Sequence, residues 1–129
     1  MSQRRVVITG LGIVSPIGIG VDNFWKAALN GTSGVKEISC FDASKYKSRI
    51  AAEIKDFNAQ EYFPDANMDR LDRFAHFCVG ATKMALDDSG LDLNVKDPYR
   101  VGVSMGSGMG GMLMAERQIT ALHISGRPE

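Results

Sequence analysis

The chain has 129 residues, 44% of them hydrophobic and 23% charged, and its 15 basic and 15 acidic side chains cancel to a formal net charge of zero. That balance excludes the clustered basic excess of a nucleic-acid binder and the polar, highly charged make-up of a disordered segment. No apolar run approaches the ~18 residues of a membrane span.

The opening Met1-Ser2-Gln3-Arg4-Arg5-Val6-Val7-Ile8-Thr9-Gly10 has only Val6, Val7 and Ile8 between its basic pair and Thr9. That is too short for a signal-peptide core, so a cytoplasmic protein is expected, with neither membrane nor nucleic acid as partner. Val6-Val7-Ile8-Thr9 itself is a β-branched run closed by Gly10, the pattern of a strand buried on both faces of a parallel sheet. Pro16 and Gly18 argue against a helix directly after it. Asp22 is the expected N-cap of a helix carrying Phe24, Trp25, Ala27, Ala28 and Leu29, and Gly31 suits the left-handed position that ends it.

Residues 32–63 are less regular. Ile50-Ala51-Ala52-Glu53-Ile54 reads as a strand, an edge one, and Phe57, Tyr62 and Phe63 are expected to seat this stretch on a core. A long helix is expected over 68–89, with Leu71, Phe74, Ala75, Cys78, Ala81, Thr82 and Ala85 recurring at three- and four-residue steps, and Gly90 as its stop. Cys78 lies on that stripe and reads as a small hydrophobe. Asp69 and Arg73, four apart, suit an exposed ion pair.

Arg100-Val101-Gly102-Val103-Ser104-Met105 is a second buried-strand candidate, and it leads into Gly106-Ser107-Gly108-Met109-Gly110-Gly111. A final helix with Met112, Ala115, Ile119 and Leu122 on one face follows, and 125–129 reads as loop. Strands alternating with helices predict an α/β fold with a mainly parallel or mixed sheet and flanking helices. Cys40 and Cys78 have no metal-ligand spacing, and a reducing compartment disfavours a disulfide between them. His76 and His123 match no zinc motif, so no metal site is expected.

Gly106-x-Gly108-x-x-Gly111 formally matches the dinucleotide-binding spacing, and Gly10-x-Gly12 is half of it. The first cluster runs into Ser15-Pro16 where a helix should begin. A dinucleotide site needs a further strand and an acidic residue ~20 positions on, and twenty positions past Gly108 the chain is at Pro128 with no further strand pattern. The alternative is that these glycines permit tight turns and close packing of strand against helix.

Arg4-Arg5-Val6-Val7-Ile8-Thr9-Gly10-Leu11-Gly12-Ile13-Val14-Ser15-Pro16-Ile17-Gly18 resembles the opening of the β-ketoacyl-[acyl-carrier-protein] synthases, most closely the synthase II type. The resemblance continues in order through Phe24-Trp25, Gly31-x-Ser33-Gly34, Phe41-Asp42, Lys55-Asp56-Phe57-Asn58, Asp72-Arg73-Phe74, Asp87-Asp88-Ser89-Gly90, Arg100-Val101-Gly102-Val103 and the glycine run 106–111. It implies a thiolase-like α/β fold, of which residues 1–129 would form the N-terminal part of the first half. It implies decarboxylative Claisen condensation of an acyl-enzyme with malonyl-carrier protein, in a homodimer that needs no cofactor.

The family nucleophile, a cysteine in a Thr-Ala-Cys-type motif, and its two histidines and lysine match no residue here, so the resemblance implies no catalytic residue in this chain. It assigns Gly106, Gly108, Met109 and Gly110 to the acyl pocket. It assigns Arg70 to docking of the acidic acyl carrier protein, although Asp65, Ala66 and Asp69 stand where the family often has basic or polar residues. Two other readings are a non-catalytic chain-length partner of a polyketide synthase and an independent nucleotide-binding domain.

Overall fold

In the computed structural model, which describes residues 4–64, 67–94 and 97–127, the turn at Pro16 and Ile17 closes a two-residue antiparallel hairpin, β1 (Val14–Ser15) against β2 (Gly18–Ile19). The Ser15 hydroxyl donates to the Gly18 carbonyl at 2.8 Å and accepts from the Ile17 amide at 3.3 Å, so the turn is closed by its own side chain. Helix α1 (Val21–Leu29) follows immediately.

The N-cap of α1 is Gly20, not Asp22. Gly20 sits at φ 83°, a left-handed value through which the hairpin enters the helix and which favours glycine. Asp22 therefore falls within the first turn, where its charge complements the helix dipole. The other end matches expectation: Gly31 has φ 64°, its amide donates to Ala28 O, and the Thr32 amide donates to Ala27 O. Those two bonds form a Schellman motif.

The second ladder pairs β3 (Val35–Glu37) with β4 (Ile50–Ala52), with Lys36 opposite Ala51. The expected strand at 50–54 thus exists in its first three residues. Both ladders are antiparallel pairs, and no parallel ladder forms among the described residues. Residues 6–9 carry no ladder, and Val6 and Ile8 are 91% and 83% exposed. Residues 101–105 also carry none, and Arg100 belongs to a 3-10 turn, Pro98–Arg100, capped by Asp97. A β-branched run records a preference for a pleated, half-buried surface and does not name the neighbour that would provide it.

The long helix α2 (Arg73–Ser89) starts later than expected. Met68–Arg70 forms a separate 3-10 turn, and Leu71 is extended (φ −104°, ψ 141°), which breaks the helix before Arg73. Gly90, at φ 62°, stops α2 as expected. Arg73 lies over the Phe77 ring, 4.9 Å from its centroid, and the side chain of Asp69 lies outside the described residues.

Helix α3 (Met112–Ser125) forms, but its expected face does not pack. Met112, Ile119 and Leu122 are exposed, while Met114, Gln118 and Ala121 are half-buried. Of residues 125–129, Pro128 and Glu129 lie outside the described residues, and Gly126 ends the helix at φ 70°.

The chain divides into two compact units. The first contains Met1–Phe57 and Ala81–Leu91; Phe57, 3% exposed, and Ala43 are its buried hydrophobic residues. The second contains Asn58–Gly80 and Asp92–Glu129, with Ala59 and Met68 buried and Tyr62 and Phe63 half-buried.

Candidate functional site

The first glycine cluster is a packing surface. A Cβ on Gly10 would lie 2.2 Å from the Ala85 carbonyl oxygen, and one on Gly12 would lie 1.9 Å from that of Ala81. The backbone of the second half of α2 therefore rests directly on these glycines, and the Leu11 amide donates to Asp88 Oδ2 at 2.8 Å beside them. A phosphate needs the space that the helix fills, so the close-packing reading holds here.

The second cluster is different. A Cβ at Gly106, Gly108 or Gly110 would meet nothing within 4 Å, and Met109 is 74% exposed. Gly110 takes φ 60°, and its amide donates to Ser107 Oγ at 2.9 Å, which closes the turn locally. Gly111 then starts α3 without a side-chain cap of its own.

The Asp72 carboxylate supplies what Gly111 lacks. Asp72 Oδ2 accepts from the Met114 amide at 2.9 Å, while Oδ1 accepts from the Arg73 amide at 2.6 Å. In the sequence Asp72 stands out only within the motif Asp72-Arg73-Phe74, with no role of its own. A bond across 42 positions leaves no local signal.

Arg70 is exposed at the end of the 3-10 turn Met68–Arg70. That turn is pinned from both sides. Met68 is buried, and its carbonyl accepts from the Leu71 amide at 3.0 Å and from His76 Nε2 at 2.8 Å. His76 is thus a half-buried helix residue with a structural bond. Arg70's turn and the glycine turn are both anchored where α2 begins, one through His76 in its first turn and the other through Asp72, the residue before it. Asp65 and Ala66 lie outside the described residues.

The Cys40 thiol does not have the surroundings of an activated thiolate. Cys40 is exposed, and a hydrogen bond with the Glu53 carboxylate pushes its thiol pKa up. Glu53 accepts from the Ser39 amide at 2.9 Å, the Cys40 amide at 3.1 Å and the Ser39 hydroxyl at 2.8 Å. Those bonds, the Ser39 amide first, hold its carboxyl far below the ordinary carboxylate range. Cys78 is half-buried in mid-helix. A cleft of about 310 Å³ lies beside Glu53, lined in part by Ser15, Pro16, Lys36 and Lys55. The Lys55 ammonium is 3.2 Å from Glu53, so the nearest charges offset one another.

The family model described as beta-ketoacyl synthase, N-terminal domain, matches residues 3–127. The chain is 46% identical over 126 residues to the 3-oxoacyl-[acyl-carrier-protein] synthase 2 of Coxiella burnetii, covering 98% of this chain and 30% of that protein. It is similar in structure to the ishigamide ketosynthase/chain length factor, with TM-score 0.79 and 28% identity over 98% of this chain and 32% of that one. A type II polyketide ketosynthase solved in complex with its acyl-carrier protein matches with TM-score 0.74 and 29% identity, over 96% of this chain and 32% of that one. The chain spans about 30% of the length of the curated relatives it matches. A match over nearly every residue, made independently by the family model and by curated relatives, places this chain in the beta-ketoacyl synthase family.

Proposed function

We propose that this chain is the N-terminal part of a thiolase-like condensing enzyme, first half, that elongates acyl chains on an acyl carrier protein by decarboxylative Claisen condensation. The observation that carries the reading is the collinear family match across residues 3–127, at 46% identity to a synthase of that activity. Such a reaction needs an activated thiolate as acyl acceptor. The raised thiol of Cys40 and the mid-helix place of Cys78 support a chain that supplies none. Its contribution is then a wall and a mount.

In this reading Gly106, Gly108, Met109 and Gly110 line the acyl pocket. The glycines keep the backbone slim, and the flexible thioether of Met109 shapes an apolar tunnel. Arg70, displayed from its pinned turn, meets the acidic carrier protein. The complete enzyme acts as a cytoplasmic homodimer without cofactor.

The test replaces the matching 126 residues of the Coxiella burnetii synthase with this chain. Met109→Trp in that hybrid is expected to shift products toward shorter acyl chains, read by mass spectrometry of the acyl-carrier products. An unchanged product profile in an active hybrid would reject the pocket assignment.

A second reading, a non-catalytic chain-length subunit, draws on the similarity to a ketosynthase/chain length factor. The two differ in the residue at the nucleophile position, so the gene sequence at that position separates them.

A further inference from the structure

We propose that Asp72 is a positioning residue that clasps the glycine turn 106–111 to the start of α2. This role rests on the reading of that turn as an acyl-pocket wall, and it adds what holds the wall in place. Helix α3 opens on Gly111, which has no side chain to satisfy the first amides of the helix. Counting Gly111 as N-cap, Met114 is the third helical residue, one of the two whose amides an N-cap side chain ordinarily accepts from.

Asp72 Oδ2 takes that bond at 2.9 Å from outside the helix. The other carboxylate oxygen accepts from Arg73 at 2.6 Å, and the Asp72 carbonyl accepts from the Ala75 amide at 2.9 Å and the His76 amide at 3.3 Å, so the same residue begins α2. One negative charge thus lies at two helix N-termini, where both dipoles favour it. A Cβ on Gly111 would lie 3.5 Å from Asp72 Oδ2 and 3.7 Å from Phe74 Cε1, so the backbone of the turn rests in contact with this start. Met109 therefore lies between two anchors, the Ser107 hydroxyl before it and the Asp72 carboxylate after it.

The test is residue-resolved amide hydrogen exchange on the full 129-residue chain, read by mass spectrometry in dilute solution because the uncovered face of α3 promotes association, comparing Asp72→Ala and Asp72→Asn with the parent. Loss of a charge-assisted bond is expected to speed exchange of the Met114 amide roughly tenfold or more. Exchange of the Gly110 amide is also expected to speed, although Gly110 bonds to Ser107 and not to Asp72. A mere cap would leave Gly110 exchange unchanged, and that result overturns the positioning role.

Unchanged exchange at Met114 overturns the clasp itself. So does equal acceleration across α1 and α3, because Asp72 would then support the fold at large. If Asp72→Ala does not fold, Asp72→Asn carries the test. Gly111→Ser in the Asp72→Ala background is expected to restore Met114 protection but not Gly110 protection; restoring both overturns the clasp. No acyl ligand enters this experiment, so its failure is separate from failure of the pocket reading, which the Met109→Trp product profile decides.

Discussion

At the scale of single residues, two contacts make measurable claims. Gly12 has the carbonyl of Ala81 where a Cβ would stand, at 1.9 Å. The blocking atom is helix backbone and has no rotamer to escape into. Gly12→Ala is therefore expected to destabilise the chain by about 3 kcal/mol, the upper end for overpacking, read from denaturant unfolding. A change within experimental error would show that α2 does not rest there.

Glu53 makes the second claim. Its folded carboxyl lies far below the ordinary value of 4.5, held there by the Ser39 amide first and then by the Cys40 and Ser39 side chains. A depressed folded pKa contributes stability that is complete above the unfolded value and is lost as pH falls through the folded one. The advantage of the parent over Glu53→Gln is thus expected in full at neutral pH and should shrink once pH drops below about 4.5. Thermal unfolding of both proteins along a pH series checks this. A gap that stays constant into strong acid would contradict it.

At the scale of elements, what was legible in the sequence depended on how local its cause is. The end of α1 was legible because Gly31 is the residue its left-handed geometry requires, and the motif closes within six residues. The start of α1 was misread by two positions because the cap is set by the hairpin that feeds it through Gly20, not by the best capping side chain nearby. Residues 6–9 and 100–105 read as buried-strand candidates from their own apolar residues, yet a strand is a relation between two segments and neither stretch carries a ladder. The split between the 3-10 turn at Met68–Arg70 and α2 was hidden by a periodic pattern that ran through Leu71.

Helix α3 shows the same limit. Its stripe was read correctly as apolar, but Met112, Ile119 and Leu122 face outward while Met114, Gln118 and Ala121 are half-buried. An uncovered stripe of this size promotes association. The chain is expected to scatter light in a concentration-dependent way, and Ile119→Lys with Leu122→Lys is expected to reduce that scattering. A parent chain that stays monomeric at high concentration in analytical ultracentrifugation would contradict it.

At the scale of the molecule, the candidate site was legible only as a list. Gly106, Gly108, Met109, Gly110 and Arg70 came from a family resemblance. The residues that mount them, Asp72 and His76, act through bonds to Met114 and Met68 that no spacing rule announces. The large apolar exposure at Val6, Ile8, Val103, Met109 and Ile119 leaves little core among the described residues.

On the proposed reading, these residues shape a condensing enzyme and supply none of its reacting groups. The measurement that bears on it most directly is release of labelled CO₂ from malonyl-carrier protein, by the isolated chain and by the Coxiella burnetii synthase carrying this chain as its matching segment. Release by the folded hybrid and none by the chain alone is the expected result. Release by the isolated chain, or a folded hybrid that loads acyl groups but releases no CO₂, would contradict it.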